Sequence, residues 1–155
     1  MQHFPIFMAL AGRRVVVSGG GDAAVAKLRL LLKTQAHITV VARDICETIE
    51  TWADTGAVHV IRRSMEPGDA LCAALFYAAN DDEDEDARVA QLAHRDGALV
   101  NWVDNLAQSQ FITPAIVDRD PVTVAIGTEG AAPVLARAVK RDLEDRLPTR
   151  LGALA

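Results

Sequence analysis

Cysteine, aromatic residues and long apolar runs are all scarce in this chain. It has two cysteines, one tyrosine, two tryptophans and four phenylalanines among 155 residues. Cys46 and Cys72 stand in no metal-ligand spacing. That excludes a disulfide-rich secreted scaffold and predicts a reducing compartment, the cytoplasm. No stretch approaches the roughly 20 apolar residues that cross a bilayer. The N-terminal segment carries its basic residues after its apolar part, the reverse of a secretory signal. His3, His37, His59 and His94 share no ligand spacing, so no metal site is expected. A basic stripe is missing too. Net charge is −5, and the six consecutive acids from Asp81 to Asp86 account for the excess, leaving the rest close to neutral. Nucleic acid is therefore not an expected partner.

Half of the residues are apolar and 24% are charged, the balance of a soluble globular protein. The length suits one domain with a small appendage, with core enough to need neither metal nor disulfide. Cys46, Cys72, Trp52 and Trp102 are expected in that core. The last third is locally basic, with Arg119, Arg137, Lys140, Arg141, Arg146 and Arg150. That suits an anionic small molecule better than a polymer.

Apolar patterning alternates between two periods. Strands are predicted over 14–17, 38–41, 58–61, 73–79 and 98–103, and helices over 23–34, 47–54 and 84–95. The run at 73–79 alone would also fit a buried helix; its length and position favour a strand. Strand and helix alternate, which predicts an α/β fold, a Rossmann-like parallel sheet with helices on both faces, over residues 1–110. Near-continuous apolar strands fit, because such strands are buried on both sides. Residues 111–155 read differently: strands over 111–117 and 122–126 joined by a turn at 118–121, a loop at 127–130, and an amphipathic helix over 131–147. Pro133 falls in that helix's first turn, where proline is tolerated. A hairpin and a helix bury little alone, so this region is expected to pack on the first domain or on a second copy. The ending at Ala155 is neither charged nor clearly terminal, and the natural protein is expected to continue.

The sharpest motif is Gly19-Gly20-Gly21-Asp22-Ala23-Ala24, a G-x-G-x-x-A match that follows a predicted strand and opens a predicted helix. Gly19 allows a tight turn, Gly21 lets a pyrophosphate approach bare backbone, and Ala24 lets helix and strand pack closely. The helix N-terminus, from Asp22 and Ala23 on, offers unpaired N–H groups to phosphate. A plain glycine turn is the alternative. About 20 positions on, where an acid meets the ribose, stand Arg43 and Asp44. Asp44 favours NAD; Arg43 leaves a 2′-phosphate and NADP open. Asn80, after the fourth strand, is a further nucleotide contact. Asp104 closes the fifth strand, where ligands of open sheets lie. It reads either as a general base or cation ligand, or as a turn former and N-cap.

Six pieces occur in a family order: Phe4, Pro5, Ile6 and Phe7; the glycine turn with Lys27; Ala78 to Asp82; Asn101 with Asp104; residues 111–116; and residues 133–137. Together they resemble the N-terminal module of siroheme synthase, the precorrin-2 dehydrogenase/sirohydrochlorin ferrochelatase family. The resemblance implies NAD-dependent oxidation of precorrin-2 to sirohydrochlorin, with Fe²⁺ insertion as a second step. It also implies Asp104 as the catalytic acid–base group and a homodimer joined through residues 111–155. The substrate carries many carboxylates, which makes Asn101, Arg119, Thr128 and Arg137 candidate substrate contacts. The chain departs from the family at Ala26, where arginine is frequent, at Gly127-Thr128-Glu129-Gly130, where the family often has serine-serine-glycine-glycine, and at Ala132, where serine is frequent. Glu129 would add negative charge near an anionic substrate. A non-catalytic NAD-binding regulatory module is the competing expectation, since fold alone does not decide function.

Overall fold

The computed structural model describes residues 1–154, which form two compact units. The first comprises Ile6–Phe111. It holds strands β1 (Arg14–Ser18), β2 (His37–Val41), β3 (His59–Ile61), β4 (Ala73–Ala78) and β5 (Leu99–Trp102). Helices α1 (Asp22–Leu31), α2 (Glu47–Asp54) and α3 (Glu83–Arg95) alternate with them. All four strand pairings are parallel, in the order β3-β2-β1-β4-β5. The expected α/β architecture is the observed one.

The run of valines in β1 explains the layering. Val15 and Val17 point to one face, with Ile38, Val40, Leu75 and Tyr77, and are covered by Ala24, Val25, Leu28 and Leu31 of α1 and Ile49 of α2. Val16 points to the other, with Val41, Phe76 and Ala78, under Val89, Ala90 and Ala93 of α3. Each such side chain contributes about 1.5–3 kcal/mol on leaving water. The chain runs from β1 outward through β2 to β3, then returns to the other side of β1 as β4. The crevice at that reversal, beyond the carboxyl ends of β1 and β4, is where open sheets bind ligands.

The second unit comprises Met1–Pro5 and the chain from Ile112 on. Antiparallel strands β6 (Ala115–Arg119) and β7 (Val122–Ile126) meet at a cis Asp120–Pro121 peptide. Helix α4 (Pro133–Arg146) follows, then a 3₁₀ turn at Leu151–Leu154. Ala136 is buried, and Lys140, Leu143 and Leu147 on the same stripe are half-buried. Val134 and Leu135 remain 70% and 56% exposed.

Several expectations fail locally. Helix α1 stops at Leu31 rather than 34, because the Thr34 hydroxyl and N–H both turn back to the Leu31 carbonyl. Residues 111–114 are not strand. Pro114 lacks an N–H for a ladder, and Phe111 instead packs edge-to-face on Tyr77, centroids 5.4 Å apart. Asp118 and Arg119 belong to β6, not the turn. Cys72 is exposed; Cys46 and both tryptophans are half-buried, packed against the margin of the core rather than inside it. The acidic run is solvated except for Asp86, which is 5% exposed. Ala155 lies outside the described residues.

Candidate functional site

Backbone approaches backbone at the end of β1, and that fixes two glycines. A Cβ on Gly19 would stand 1.9 Å from the Ala79 carbonyl oxygen, and one on Gly20 1.9 Å from that of Asp44. Gly19 also has φ +129°, a conformation side chains rarely adopt. The first two glycines therefore clamp the β1–α1 turn between the ends of β4 and β2. Gly21 differs. Its Cβ position meets only the Asp81 carboxylate, with Oδ2 at 3.1 Å. Gly21 is the N-cap of α1, and no side chain bonds there. An uncapped helix start beside bare backbone is a seat for phosphate oxygens.

Those residues fit a dinucleotide. Gly21, Ala23 and Ala24 would pass the diphosphate along the start of α1. Charge is less favourable: Asp22 sits in the first helical turn, and Asp81 stands over Gly21. Asp81 holds φ +55°, in the left-handed region. Asp44 is exposed after β2. Arg43 is also exposed, and its Nε donates to Ser64 Oγ at 2.6 Å.

Asn80 is held from two sides. Its backbone N–H and its Nδ2 both donate to Asp86 Oδ1, at 2.9 and 2.8 Å, and Nδ2 also lies 3.2 Å from Ser18 Oγ. This ties the carboxyl ends of β1 and β4 to the first turns of α3. Burial pushes the Asp86 carboxyl above the ordinary aspartate range, against the Asn80 hydrogen bonds that lower it. Asp82 caps α3, accepting from Asp84 and Glu85 N–H at 3.0 and 3.1 Å. Its charge also suits the helix N-terminus.

Ala23, Ala79, Asp81, Asp82, Asp86 and Trp102–Asn105 enclose a cleft of about 310 Å³. Asp104 stands in its wall with φ +62°. Asn105, not Asp104, caps the next 3₁₀ turn, accepting from Gln108 N–H at 3.2 Å. That removes the capping alternative for Asp104. Its exposed carboxylate has no hydrogen bond or ion pair among the described residues. Burial lowers the Lys27 ammonium below the usual lysine range, and Asp104 pulls it back up. Asn101 lies three residues before Asp104 and is 7% exposed. Its Nδ2 donates to the Phe111 carbonyl at 2.8 Å, while its Oδ1 has no partner among the described residues.

The remaining candidates lie in the second unit. Arg119 caps α4: its guanidinium donates to the carbonyls of Leu147, Glu144 and Asp118 at 3.4, 3.1 and 3.0 Å. Arg137 is exposed on α4, and Thr128 is half-buried in the loop before it. Glu129, expected to repel an anion, is occupied by the N-terminal segment. It accepts from Gln2 and His3 N–H at 3.0 and 3.4 Å and pairs with His3 Nδ1. The His3 hydrogen bond, first of all, holds the Glu129 carboxyl below its usual range. The sequence points to Lys27 only through the family resemblance, names Asp81 only beside Asn80 as a nucleotide contact, and gives no part to Asp86. A lysine one turn beyond the Ala23 of a dinucleotide turn was the one signal available.

This sheet order, glycine turn and uncapped helix start define a dinucleotide-binding α/β protein. The family model described as "Putative NAD(P)-binding" matches residues 6–115, and the chain belongs to that family. It is 41% identical over 154 residues to the siroheme synthase of Pseudoalteromonas atlantica, and 42% over 155 residues to that of Methylococcus capsulatus. These alignments cover 99% and 100% of this chain but 33% of either relative, so the chain spans about a third of their length. A solved structure of SirC, a precorrin-2 dehydrogenase, superposes with a TM-score of 0.82 at 28% identity, over 97% of this chain and 74% of its own.

Proposed function

We propose that this protein oxidises precorrin-2 to sirohydrochlorin with NAD⁺. The observation that carries the reading is an unpaired carboxylate, Asp104, in the wall of the cleft that also contains the start of α1. Similarity to SirC and to siroheme synthases supports the substrate. The balance is precorrin-2 plus NAD⁺ giving sirohydrochlorin, NADH and a proton. When bound, the nicotinamide supplies the hydride acceptor. The chain supplies the rest. Gly21, Ala23 and Ala24 seat the diphosphate, and Asp44 with Asn80 meets the nucleoside. The Asp104 carboxylate takes the proton released as the macrocycle gains its double bond. Thr128 and Arg137 are substrate contacts in this reading, with Arg137 offering a guanidinium to a carboxylate. Asn101 contributes its unpaired Oδ1. Arg119 serves through the backbone it caps rather than by direct contact.

The functional division runs at residue 110, with NAD bound by 1–110 and self-association through 111–155. Exposed Val134, Leu135 and Val139 on α4 are apolar surface that a homodimer would cover. No described helix is long and apolar enough to cross a membrane, and the proposed setting is the cytoplasm. Fe²⁺ insertion is kept outside this assignment, because the siroheme synthases extend well beyond the third of their length matched here.

Mixing the protein with precorrin-2 and NAD⁺ should produce NADH absorbance, and Asp104→Ala should lower kcat by about 10²–10⁴-fold. NAD⁺ binding without turnover would instead identify a regulatory module. Unchanged turnover in Asp104→Ala would remove Asp104 from the chemistry.

A further inference from the structure

Five acids line the cleft at the start of α1, and no basic side chain among the described residues does. Four of them face water: Asp82, which caps α3, with Asp81, Glu83 and Asp104. Asp86 differs. It is 5% exposed yet belongs to the same lining. Its two oxygens have separate surroundings. Oδ1 accepts from the backbone N–H and from Nδ2 of Asn80, at 2.9 and 2.8 Å. Oδ2 takes no hydrogen bond or ion pair among the described residues. Nor is it sealed in, because Asn101 Oδ1 alone is both fully buried and partnerless among them. Oδ2 is therefore the oxygen through which Asp86 reaches the cleft. Leaving one oxygen of a buried carboxylate without a donor is costly. The start of α3 offsets part of that cost, since negative charge suits a helix N-terminus. A donor in the cleft would offset the rest.

We propose that Asp86 Oδ2 is a cofactor-binding acceptor, taking a hydroxyl of the ribose on the nicotinamide side of a bound dinucleotide. Ala23, at the start of α1, lines this cleft, so the cleft adjoins the seat of the diphosphate. A carboxylate repels phosphate but accepts from a hydroxyl. The adenosine ribose belongs beyond β2, on one side of β1. Residues beyond the ends of β4 and β5, on the other side, form the cleft, which leaves it the second ribose. Asn80 is then a positioning residue: its two donors fix which oxygen of Asp86 faces the ligand. This rests on the cofactor half of the dehydrogenase reading.

Asp86→Asn separates binding from support. The two Asn80 donors hold the new amide oxygen where Oδ1 was, so the amide NH₂ takes the place of Oδ2. The tie to Asn80 persists, and the variant should melt no lower than the parent at neutral pH. A neutral donor now faces the ribose in place of a charged acceptor. The Kd for NAD⁺ in calorimetric titration should rise about tenfold or more. The Kd for ADP, which carries only the adenosine ribose and the diphosphate, should stay within about twofold. An unchanged Kd for NAD⁺ overturns the proposal, as does equal weakening of NAD⁺ and ADP. A second measurement needs no variant: in the parent, the Asp86 carboxyl ¹³C resonance should move on adding NAD⁺ and hold still on adding ADP. A resonance that NAD⁺ leaves in place overturns the proposal. NAD⁺ binding without oxidation of precorrin-2 sinks the dehydrogenase reading and not this one, because neither readout uses turnover.

Discussion

The two sheets of this molecule are built from equally β-prone residues, yet they stand differently toward water. Every residue of β4 is buried, as are four of five in β1. In the hairpin, Val117 alone is buried, and β7 alternates half-buried with exposed positions. A central parallel strand is covered on both faces by crossover helices, whereas a two-stranded hairpin under one helix has one face covered at most. The first unit therefore completes its own core. The second presents apolar side chains that need another surface. The unit that forms the cofactor crevice thus needs no partner for its core, and the proposed self-association falls to the other.

Glycine substitutions give the largest test of the contrast. Gly19→Val meets a carbonyl at 1.9 Å and a φ of +129°, and should cost about 4 kcal/mol or more in urea unfolding. Gly127→Ala, in the hairpin–helix loop, has nothing within 4 Å of the added Cβ and should change stability by less than about 0.5 kcal/mol. Comparable losses at both positions would contradict the contrast. Leucine truncations come next. Leu28→Ala on α1 removes a fully buried side chain and should cost about 2–5 kcal/mol. Leu135→Ala on α4 should leave monomer stability within about 0.5 kcal/mol but weaken self-association in sedimentation velocity.

A smaller effect is expected at the mouth of the crevice. Asp81→Ala removes the carboxylate over Gly21 and should tighten NAD⁺ binding by roughly fivefold in calorimetric titration, a change on the order of 1 kcal/mol. Weaker binding in that variant would mean that Asp81 contacts the nucleotide instead. The smallest effects concern pH, and they should have opposite signs in the two units. The Asp86 carboxyl is raised in the folded state. Its contribution is full below the ordinary aspartate value and lost as pH rises through the folded value. Glu129 is lowered, so its contribution is present above the ordinary glutamate value and lost as pH falls through the folded one. Asp86→Asn and Glu129→Gln should each flatten one of these limbs in melting temperature against pH. Limbs of the same sign would refute the assignment.

Much of the first unit was legible because burial on both faces leaves continuous apolar runs such as Val15, Val16 and Val17, short and β-branched enough to favour strand over buried helix. The glycine turn was legible because its position between a strand and a helix is local. Residues 111–114 misled because Phe111 and Ile112 are as apolar as strand residues, although Phe111 serves to cover Tyr77. Asp86 was hidden inside a run of acids: its spacing from Asp82 puts it on the inner face of α3, but only the Asn80 donors make burial of a carboxylate tolerable. Asp104 was legible as the end of a strand. That Asn105 caps the following turn, and leaves Asp104 free, was not.

The order of amino acids alone determined which segments became strands and helices, which side of each faced inward, and where a bare-backbone turn would open a helix. These are nearest-neighbour properties, set by period and by the missing side chain of glycine. Only the folded chain decided that Asp81 would lie over Gly21 and that Arg119 would cap α4. Those pairings join residues far apart in the chain, so they arise from how packed elements bring distant charges together.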